Sequence, residues 1–283
     1  MRIFITGHRG QLGGALLHSL RDQDLAYGDL PDWDITNAGQ VEAAIAAFRP
    51  DVVIHAAALT QVDYCAMHPE EALRVNGVGT YNVALACRRA GALCVAISTN
   101  EVFDGQFDRP YQEYDPRRPI NPYGYSKFVG EQAVERIAPE YMIVRTAWLY
   151  APGGENFIHK IIRRAAAGEP LRVVTDEVGS PTYVVDLAEA LRRLIVTGRP
   201  GIYHLTNAGS CSRYEFAQEI VRLAGYDVPV EPISSAEFQR ASTPPPYAPL
   251  ANVFAAAAGV TLRPWQEALA EYLAAYGPAA GGV

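Results

Sequence analysis

The N-terminal segment carries the pattern that most restricts how this chain can fold. An apolar, β-prone run at residues 2–6 leads directly into a turn containing Gly7, Gly10 and Gly13, and a helix-like segment follows. A strand, a glycine-rich turn and a helix in this order build a dinucleotide site, because the glycines permit close backbone approach and the helix N-terminus faces the pyrophosphate. The alternative is a loop in which the glycines provide flexibility alone.

The rest of the chain continues this alternation of strands and helices. Apolar runs typical of strands buried on both faces occur at 2–6, 24–28, 51–55, 92–98, 141–146 and 171–174. Helical patterns lie between them, at 11–22, 37–48, 69–90, 122–138 and 156–167. The order predicts an α/β fold with a doubly wound parallel sheet. Residues 100–122 read as a long loop after the fourth strand, at the sheet edge where such folds bind ligands.

Tyr123 and Lys127 form the strongest candidate for a catalytic pair. On a helix their i,i+4 spacing places both side chains on one face, and Ser98 and Thr99 supply hydroxyls from the preceding strand. A neighbouring ammonium favours the phenolate, so Lys127 is expected to lower the pKa of Tyr123. Tyr123 would then donate a proton to a ketone oxygen while Thr99 hydrogen-bonds the same oxygen. An exposed Tyr-x-x-x-Lys pair without function is the alternative, since the spacing is common by chance.

Composition limits the classes of partner. The formal net charge of −7 provides no basic surface for nucleic acid, so an anionic ligand has to be held by local cations and backbone amides. No apolar run reaches the length of a membrane span. The four cysteines show no Cys-x-x-Cys spacing, which argues against a metal site and for reduced packing residues. Met1 directly precedes the first strand, leaving no room for a signal peptide, and we expect a cytoplasmic protein.

The nicotinamide preference stays open between NADH and NADPH. Asp29 ends the second predicted strand, where a carboxylate can bond the adenosine ribose hydroxyls and would repel a 2′-phosphate. Arg9 lies within the glycine-rich turn and favours the opposite choice, because a guanidinium suits phosphate. Asp29 as a turn residue and Arg9 as a solvated loop cation are the structural alternatives.

Further motifs identify a family. Together with the glycine-rich turn and Tyr-x-x-x-Lys, they resemble the dTDP-4-dehydrorhamnose reductase family of the extended short-chain dehydrogenase/reductase superfamily. The resemblance keeps the family's order as far as about Tyr214 and weakens towards the C-terminus. The matching segments are 6–13, 50–58, 62–63, 75–76, 98–99, 102–105, 110–111, 145–150, 156–157, 179–182 and 201–204.

The resemblance implies an activity and a set of site residues. The implied activity is reduction of the 4-keto group of dTDP-4-dehydro-L-rhamnose to dTDP-L-rhamnose with NADPH or NADH. The implied catalytic residues are Thr99, Tyr123 and Lys127, and the implied sugar contacts are Thr99, Asn100 and Trp148; Trp148 as a core anchor is the alternative. The cofactor would be held by Tyr123 and Lys127 together with Gly7, Arg9, Gly10, Gln11, Leu12, Gly13, Asp29, Asp34, Ile35, Ala58, Leu59 and Thr60.

The distribution of strand signals, which become fewer after Leu149, predicts the domain organisation. Residues 1–148 are expected to form the dinucleotide-binding domain, to which 176–204 return. The substrate-binding lobe is assigned to 149–175 and 205–283. The oligomeric state is left open, with a homodimer as one option.

Several residues depart from the family pattern and keep other functions open. Asn100 and Glu101 stand where an aspartate and a tyrosine are usual, and Glu177 replaces a usual glutamine. Residues 241–250 are rich in proline and lack the arginine expected there. The alternatives are another nucleotide-4-ketosugar reductase, an epimerase, or a non-catalytic binding protein that resembles the regulatory subunit of methionine adenosyltransferase.

Overall fold

A parallel six-stranded sheet forms the centre of the molecule. The computed structural model describes residues 1–153 and 156–278. All of its neighbouring strand pairs are parallel. The predicted doubly wound α/β fold is confirmed. The sheet strands are β1 (Arg2–Thr6), β2 (Asp24–Gly28), β3 (Val52–His55), β4 (Leu93–Thr99), β5 (Tyr141–Thr146) and β10 (Gly201–His204). Their order across the sheet is β10-β5-β4-β3-β1-β2.

Short strand pairs flank this sheet. They comprise β6 (Leu149–Tyr150) with β9 (Thr182–Tyr183), β7 (Leu171–Val174) with β12 (Val230–Ile233), and β8 (Val178–Gly179) with β11 (Cys211–Ser212).

Helices cover both faces of the central sheet. They are α1 (Gln11–Ser19), α2 (Ala38–Phe48), α3 (Val62–Met67), α4 (Pro69–Ala72), α5 (Thr80–Ala90), α6 (Pro122–Ile137), α7 (Phe157–Ala166), α8 (Val184–Val196), α9 (Arg213–Leu223), α10 (Val253–Ala257) and α11 (Trp265–Tyr276). A π-helical stretch, Leu73–Gly79, joins α4 to α5, so the helix predicted over 69–90 is continuous but changes its winding.

The sixth strand of the sheet is β10, which lies within the segment 176–204 that we expected to return to the sheet. Residues 171–174 do form a strand, but β7 pairs with β12 in a separate two-stranded sheet. The edge position beside β5 is taken by β10, whose His204 is in register with Arg145. The apolar pattern of 171–174 could predict a strand but not its partner, because pairing depends on where the intervening helices pack.

Two hydrophobic clusters occupy opposite faces of the sheet and use alternate residues of each strand. Ile3 and Ile5 belong to the larger cluster with α1, α8 and α11, whereas Phe4 belongs to the cluster formed with α2 and α5. This alternation follows from the two-residue period of a strand. Residues of α7 and α9 also belong to the larger cluster.

The four cysteines are free and buried. Among the helices that the structure describes, each is too short or too polar to span a bilayer. The division into a dinucleotide-binding domain and a substrate-binding lobe stays a prediction, and residues 154–155 and 279–283 of that lobe lie outside the described residues.

Candidate active site

The glycine-rich turn brings the start of α1 against the end of β1. Gly7 has a left-handed φ of 73°, and its carbonyl oxygen accepts a hydrogen bond from the Gly10 N–H at 3.1 Å. A Cβ at Gly13 would lie 2.1 Å from that carbonyl oxygen. Only glycine fits at position 13 without moving the helix away from the turn.

The first turn of α1 is suited to an anion. Its N-cap residue, Gly10, provides no side-chain hydrogen bond to the backbone N–H groups of that turn. Free N–H groups and the positive end of the helix dipole attract phosphate. The residues present here therefore fit the pyrophosphate of a nicotinamide dinucleotide.

A cavity of about 590 Å³ connects this turn with the predicted catalytic residues. It is lined by most of the residues selected from the sequence: Gly7, Gly10, Gln11, Leu12, Gly13, Ala58, Thr60, Thr99, Asn100, Tyr123, Lys127 and Trp148. Residues separated by more than a hundred positions thus share one concave space, as expected of a ligand site at the carboxyl ends of parallel strands.

Close packing at the start of α6 places Tyr123 beside the end of β4. A Cβ at Gly124 would lie 2.0 Å from the Glu101 carbonyl oxygen, so the helix and the 99–102 turn are in direct contact. Asn121 caps α6 by accepting a hydrogen bond from the Gly124 N–H at 2.8 Å. Its Nδ2 donates to Glu101 Oε2 at 2.5 Å. This cap joins α6, which carries Tyr123 and Lys127, to the turn that follows Thr99.

Tyr123 is protonated in this environment, which corrects one expectation from the sequence. Burial raises the pKa of Tyr123 above its ordinary value, the negative charge of Glu101 adds to the rise, and a hydrogen bond with Thr99 opposes it. The direction of the pKa shift that we expected from Lys127 is therefore wrong, because desolvation of the phenolate is the largest cause of the shift. A neutral phenol is the form that a proton donor requires.

Lys127 lies one helical turn from Glu131, which belongs to a buried ion-pair network. Burial lowers the pKa of Lys127 to about 8, although the negative charge of Glu131, one turn along α6, acts to raise it. Glu131 accepts hydrogen bonds from Arg145 Nε and Nη2, both at 2.8 Å, and from Ser98 Oγ at 2.5 Å. Although burial alone would raise the pKa of Glu131, Arg145 and the hydrogen bonds lower it to about 2. Glu131 therefore stays ionised one helical turn from the lysine.

Asn76, on the π-helical stretch, was not selected as a site residue from the sequence. Its Oδ1 accepts from the Leu59 N–H at 2.8 Å, and its Nδ2 donates to the Leu59 carbonyl and to Ser126 Oγ, both at 2.9 Å. The Ser126 hydroxyl donates to the Tyr123 carbonyl at 2.7 Å. Asn76 thereby connects the loop after β3 to the catalytic helix. A π-helical turn often marks such a functional position, but its hydrophobic pattern does not distinguish it from an α-helix.

Arg213 is a second lining residue that sequence reasoning missed. It is the first residue of α9, and its guanidinium carbon lies 3.5 Å from the centroid of the Trp148 ring. Trp148 has a left-handed φ of 45°, a strained value for a tryptophan, and lines the cavity beside Asn100. Asn100 is buried and donates from Nδ2 to the Ala248 carbonyl at 3.3 Å. The signal that could have identified Arg213 from the sequence is an arginine at the start of a predicted helix, where acidic residues are favoured.

The residues predicted to recognise the adenosine ribose lie beyond the cavity lining. Asp29 accepts hydrogen bonds from the backbone N–H groups of Arg9 and Leu30, both at 2.9 Å. Arg9 forms an exposed ion pair with Asp32 at 2.8 Å and also donates to the Leu30 carbonyl. The two predicted specificity residues are therefore adjacent.

Three other predicted cofactor residues are engaged by neighbouring parts of the protein. Asp34 accepts from the N–H and hydroxyl of Thr36 at 2.8 and 2.9 Å. Ile35 is buried against α2 and α5, and Leu59 is held by Asn76. Their contact with a cofactor stays a prediction.

We expect Asp29 and Arg9 to act in opposition on cofactor choice. Asp29→Ala should raise the ratio of NADPH to NADH catalytic efficiency, and Arg9→Ala should lower it, each by about tenfold, the effect of one hydrogen bond to a charged group. Asp32→Ala serves as a matched control, because it frees the Arg9 guanidinium and should also raise the ratio. Steady-state kinetics with both cofactors measure these ratios. Unchanged ratios in the Asp29 and Arg9 variants would show that neither side chain reaches the ribose.

Tyr125 is not part of the cavity. As an aromatic residue near Tyr123, it is a candidate for a ring on the substrate side, but its side chain is 53% exposed and is absent from the cavity lining among the described residues. Tyr125 lies two residues from Tyr123, so the helical geometry of α6 directs it to another face.

Comparison with known proteins agrees with the site geometry. The model of the RmlD substrate binding domain family matches residues 1–277. The chain belongs to this family. The resemblance to dTDP-4-dehydrorhamnose reductases inferred from the motifs is confirmed.

Individual relatives extend over nearly the whole chain. A dTDP-4-dehydrorhamnose reductase of Mycobacterium tuberculosis is 42% identical, covering 97% of this chain and 93% of the relative. A dTDP-4-keto-6-deoxy-D-glucose reductase of Streptomyces niveus is 38% identical, covering 95% and 96%. The crystal structure of dTDP-4-dehydrorhamnose reductase from Bacillus anthracis in complex with NADP superposes with a TM-score of 0.93 at 40% identity, covering 96% and 98%.

Proposed function

We propose that this protein reduces the 4-keto group of dTDP-4-dehydro-L-rhamnose to the alcohol of dTDP-L-rhamnose, using NADPH or NADH. The observation that carries the proposal is the shared cavity, in which Thr99, Tyr123 and Lys127 face the same space as the glycine-rich turn. The family membership and the reductases among the relatives support it.

Each residue has a defined part in the proposed reaction. The nicotinamide, when bound, supplies a hydride to the carbonyl carbon, and negative charge then develops on the carbonyl oxygen. Tyr123 donates its proton to that oxygen, and the Thr99 hydroxyl stabilises the charge by a hydrogen bond. Lys127 favours the phenolate that remains, because its ammonium lies on the same helix face one turn away. Asn76 and Asn121 position the loop and helix that carry these groups.

The binding of the cofactor is assigned to the turn and the segments beside it. Gly7, Gly10 and Gly13 allow the pyrophosphate to approach the N-terminus of α1. Asp29, which follows β2, and Arg9, in the glycine-rich turn, are adjacent and are assigned to the adenosine ribose. The cytoplasmic location and the homodimer stay predictions.

A reductase acting on a different dTDP-4-ketosugar is the second candidate. The Streptomyces niveus relative carries the name of such an enzyme. The change from the usual aspartate and tyrosine to Asn100 and Glu101 lies in the cavity lining, where it would alter contacts to sugar hydroxyls.

Incubation with a panel of dTDP-4-ketosugars distinguishes these candidates. We expect rapid oxidation of the reduced nicotinamide with dTDP-4-dehydro-L-rhamnose, followed by absorbance, and a product whose C4 configuration is read by NMR. Faster turnover of another ketosugar would favour the second candidate. An epimerase would retain its cofactor through purification and show no net oxidation. Absence of turnover with the whole panel and both cofactors would contradict the proposal.

A further inference from the structure

Arg213 is placed where several local effects oppose a positive charge. It opens α9, and a cation at a helix N-terminus faces the positive end of the helix dipole. Its side chain is only 24% exposed. Burial lowers the pKa of Arg213 to about 10, although the negative charge of Glu177 acts to raise it. A residue that violates local preferences in this way is more typical of function than of stability.

The charge of Arg213 is only weakly compensated within the protein. Its closest carboxylate is Glu177, with 3.9 Å between Arg213 Nε and Glu177 Oε2. Glu177 is shared with Arg240, whose Nη1 lies 3.6 Å from Oε1. Throughout residues 1–153 and 156–278, the Arg213 guanidinium donates no hydrogen bond, so its five N–H groups are available to a ligand.

Aromatic rings fix the plane of the guanidinium. Trp148 and Phe157 lie 3.5 and 5.1 Å from its central carbon, and all three residues line the cavity. Such stacking holds an arginine fork in one orientation and leaves its edge free for hydrogen bonding. A planar fork with free donors matches the oxygens of a phosphate group.

We propose that Arg213 binds the diphosphate of the nucleotide-sugar substrate. This inference rests on the proposed function. Besides Arg213, the charged side chains that line the described cavity are Glu101, which repels an anion, and Lys127, which belongs to the proposed catalytic pair. In a chain with a net charge of −7, the diphosphate requires a local cation, and Arg213 provides it at Trp148. The cofactor diphosphate is instead served by the free N–H groups of α1.

Glu177 gives the proposal a second, opposite prediction. Its carboxylate competes with the substrate for Arg213, so removing its charge should strengthen diphosphate binding. Glu177→Gln retains the size of the side chain and one acceptor oxygen but removes the negative charge. Arg213→Gln should weaken binding, and Arg213→Lys should be intermediate, because an ammonium keeps the charge but loses the fork.

Calorimetric titration with dTDP and, separately, with NADPH tests these expectations. For Arg213→Gln we expect a dissociation constant for dTDP about 10–100-fold higher, the range for a hydrogen bond to a charged group, with unchanged affinity for NADPH. Its Tm should not fall below that of the wild type, because the arginine is locally unfavourable. Glu177→Gln should bind dTDP more tightly than the wild type. Unchanged dTDP affinity in Arg213→Gln, or an equal loss for NADPH, would overturn the assignment, as would a wild-type protein that does not bind dTDP.

Ketosugar kinetics separate this inference from the proposed function. If dTDP binding depends on Arg213 while no ketosugar is reduced, the diphosphate assignment holds and the proposed activity fails. If the ketosugar is reduced with the same KM by the wild type and Arg213→Gln, the activity holds and the diphosphate assignment is wrong. Should Arg213→Gln not fold, Arg213→Lys and Glu177→Gln still decide the question, since their dTDP affinities are expected to move in opposite directions.

Discussion

Tyr123→Phe is expected to lower kcat for ketosugar reduction by about two to four orders of magnitude, the usual contribution of a positioned general acid. The substitution removes only the hydroxyl, and Tyr123 is 9% exposed in a tightly packed helix, so the fold and the cavity shape should remain. Because burial keeps the phenol protonated, the native residue is a proton donor in its resting state. Single-turnover kinetics with prebound cofactor measure the loss, and titration with NADPH should give nearly native affinity.

Tyr125→Phe is the matched control for this prediction. The two tyrosines lie on the same helix and lose the same atom, but Tyr125 is 53% exposed and outside the described cavity lining. We expect turnover within about twofold of the wild type, as for a surface substitution that changes stability by less than 0.5 kcal/mol. Comparable losses in both variants would refute the catalytic role of Tyr123.

Gly13→Ala is expected to destabilise the protein and to abolish cofactor binding, whereas Gly14→Ala should do neither. The added methyl group at position 13 would lie 2.1 Å from the Gly7 carbonyl oxygen, a backbone atom that cannot move without displacing the turn. At Gly14 the same methyl group meets nothing within 4 Å. Overpacking costs about 1–3 kcal/mol, or more where only backbone can yield. Replacing glycine by alanine inside a helix contributes about 1 kcal/mol of stability.

Urea unfolding and NADPH titration of both variants provide the measurement. Gly13→Ala should show a lower free energy of unfolding, and its NADPH affinity should fall because α1 no longer presents its N-terminus to the pyrophosphate. Gly14→Ala should unfold at higher urea concentration and bind NADPH normally. A Gly13→Ala protein with native stability and affinity would show that the turn and α1 are not packed as described.

The sequence alone was sufficient for features that depend on local pattern. Alternating strand and helix signals predicted the parallel sheet, and five of its six strands were located as individual strands, several of them as near-continuous apolar runs. The glycine spacing indicated the dinucleotide turn, since tight turns require glycine whatever the rest of the fold does. The helical spacing of Tyr123 and Lys127 was enough to place both on α6 facing one cavity.

Only the tertiary structure could decide features that depend on burial and on contacts between distant segments. The pairing of the C-terminal strands depends on packing: β10 lies beside β5 in the central sheet, whereas β7 pairs with β12 in a separate sheet. The direction of the Tyr123 pKa shift was wrong because desolvation depends on everything packed around the phenol, whereas sequence spacing reveals only the neighbouring lysine. Arg213 was missed because Trp148 and Glu177 are far from it in sequence, and only folding stacks the guanidinium on the indole and leaves its hydrogen-bond donors free.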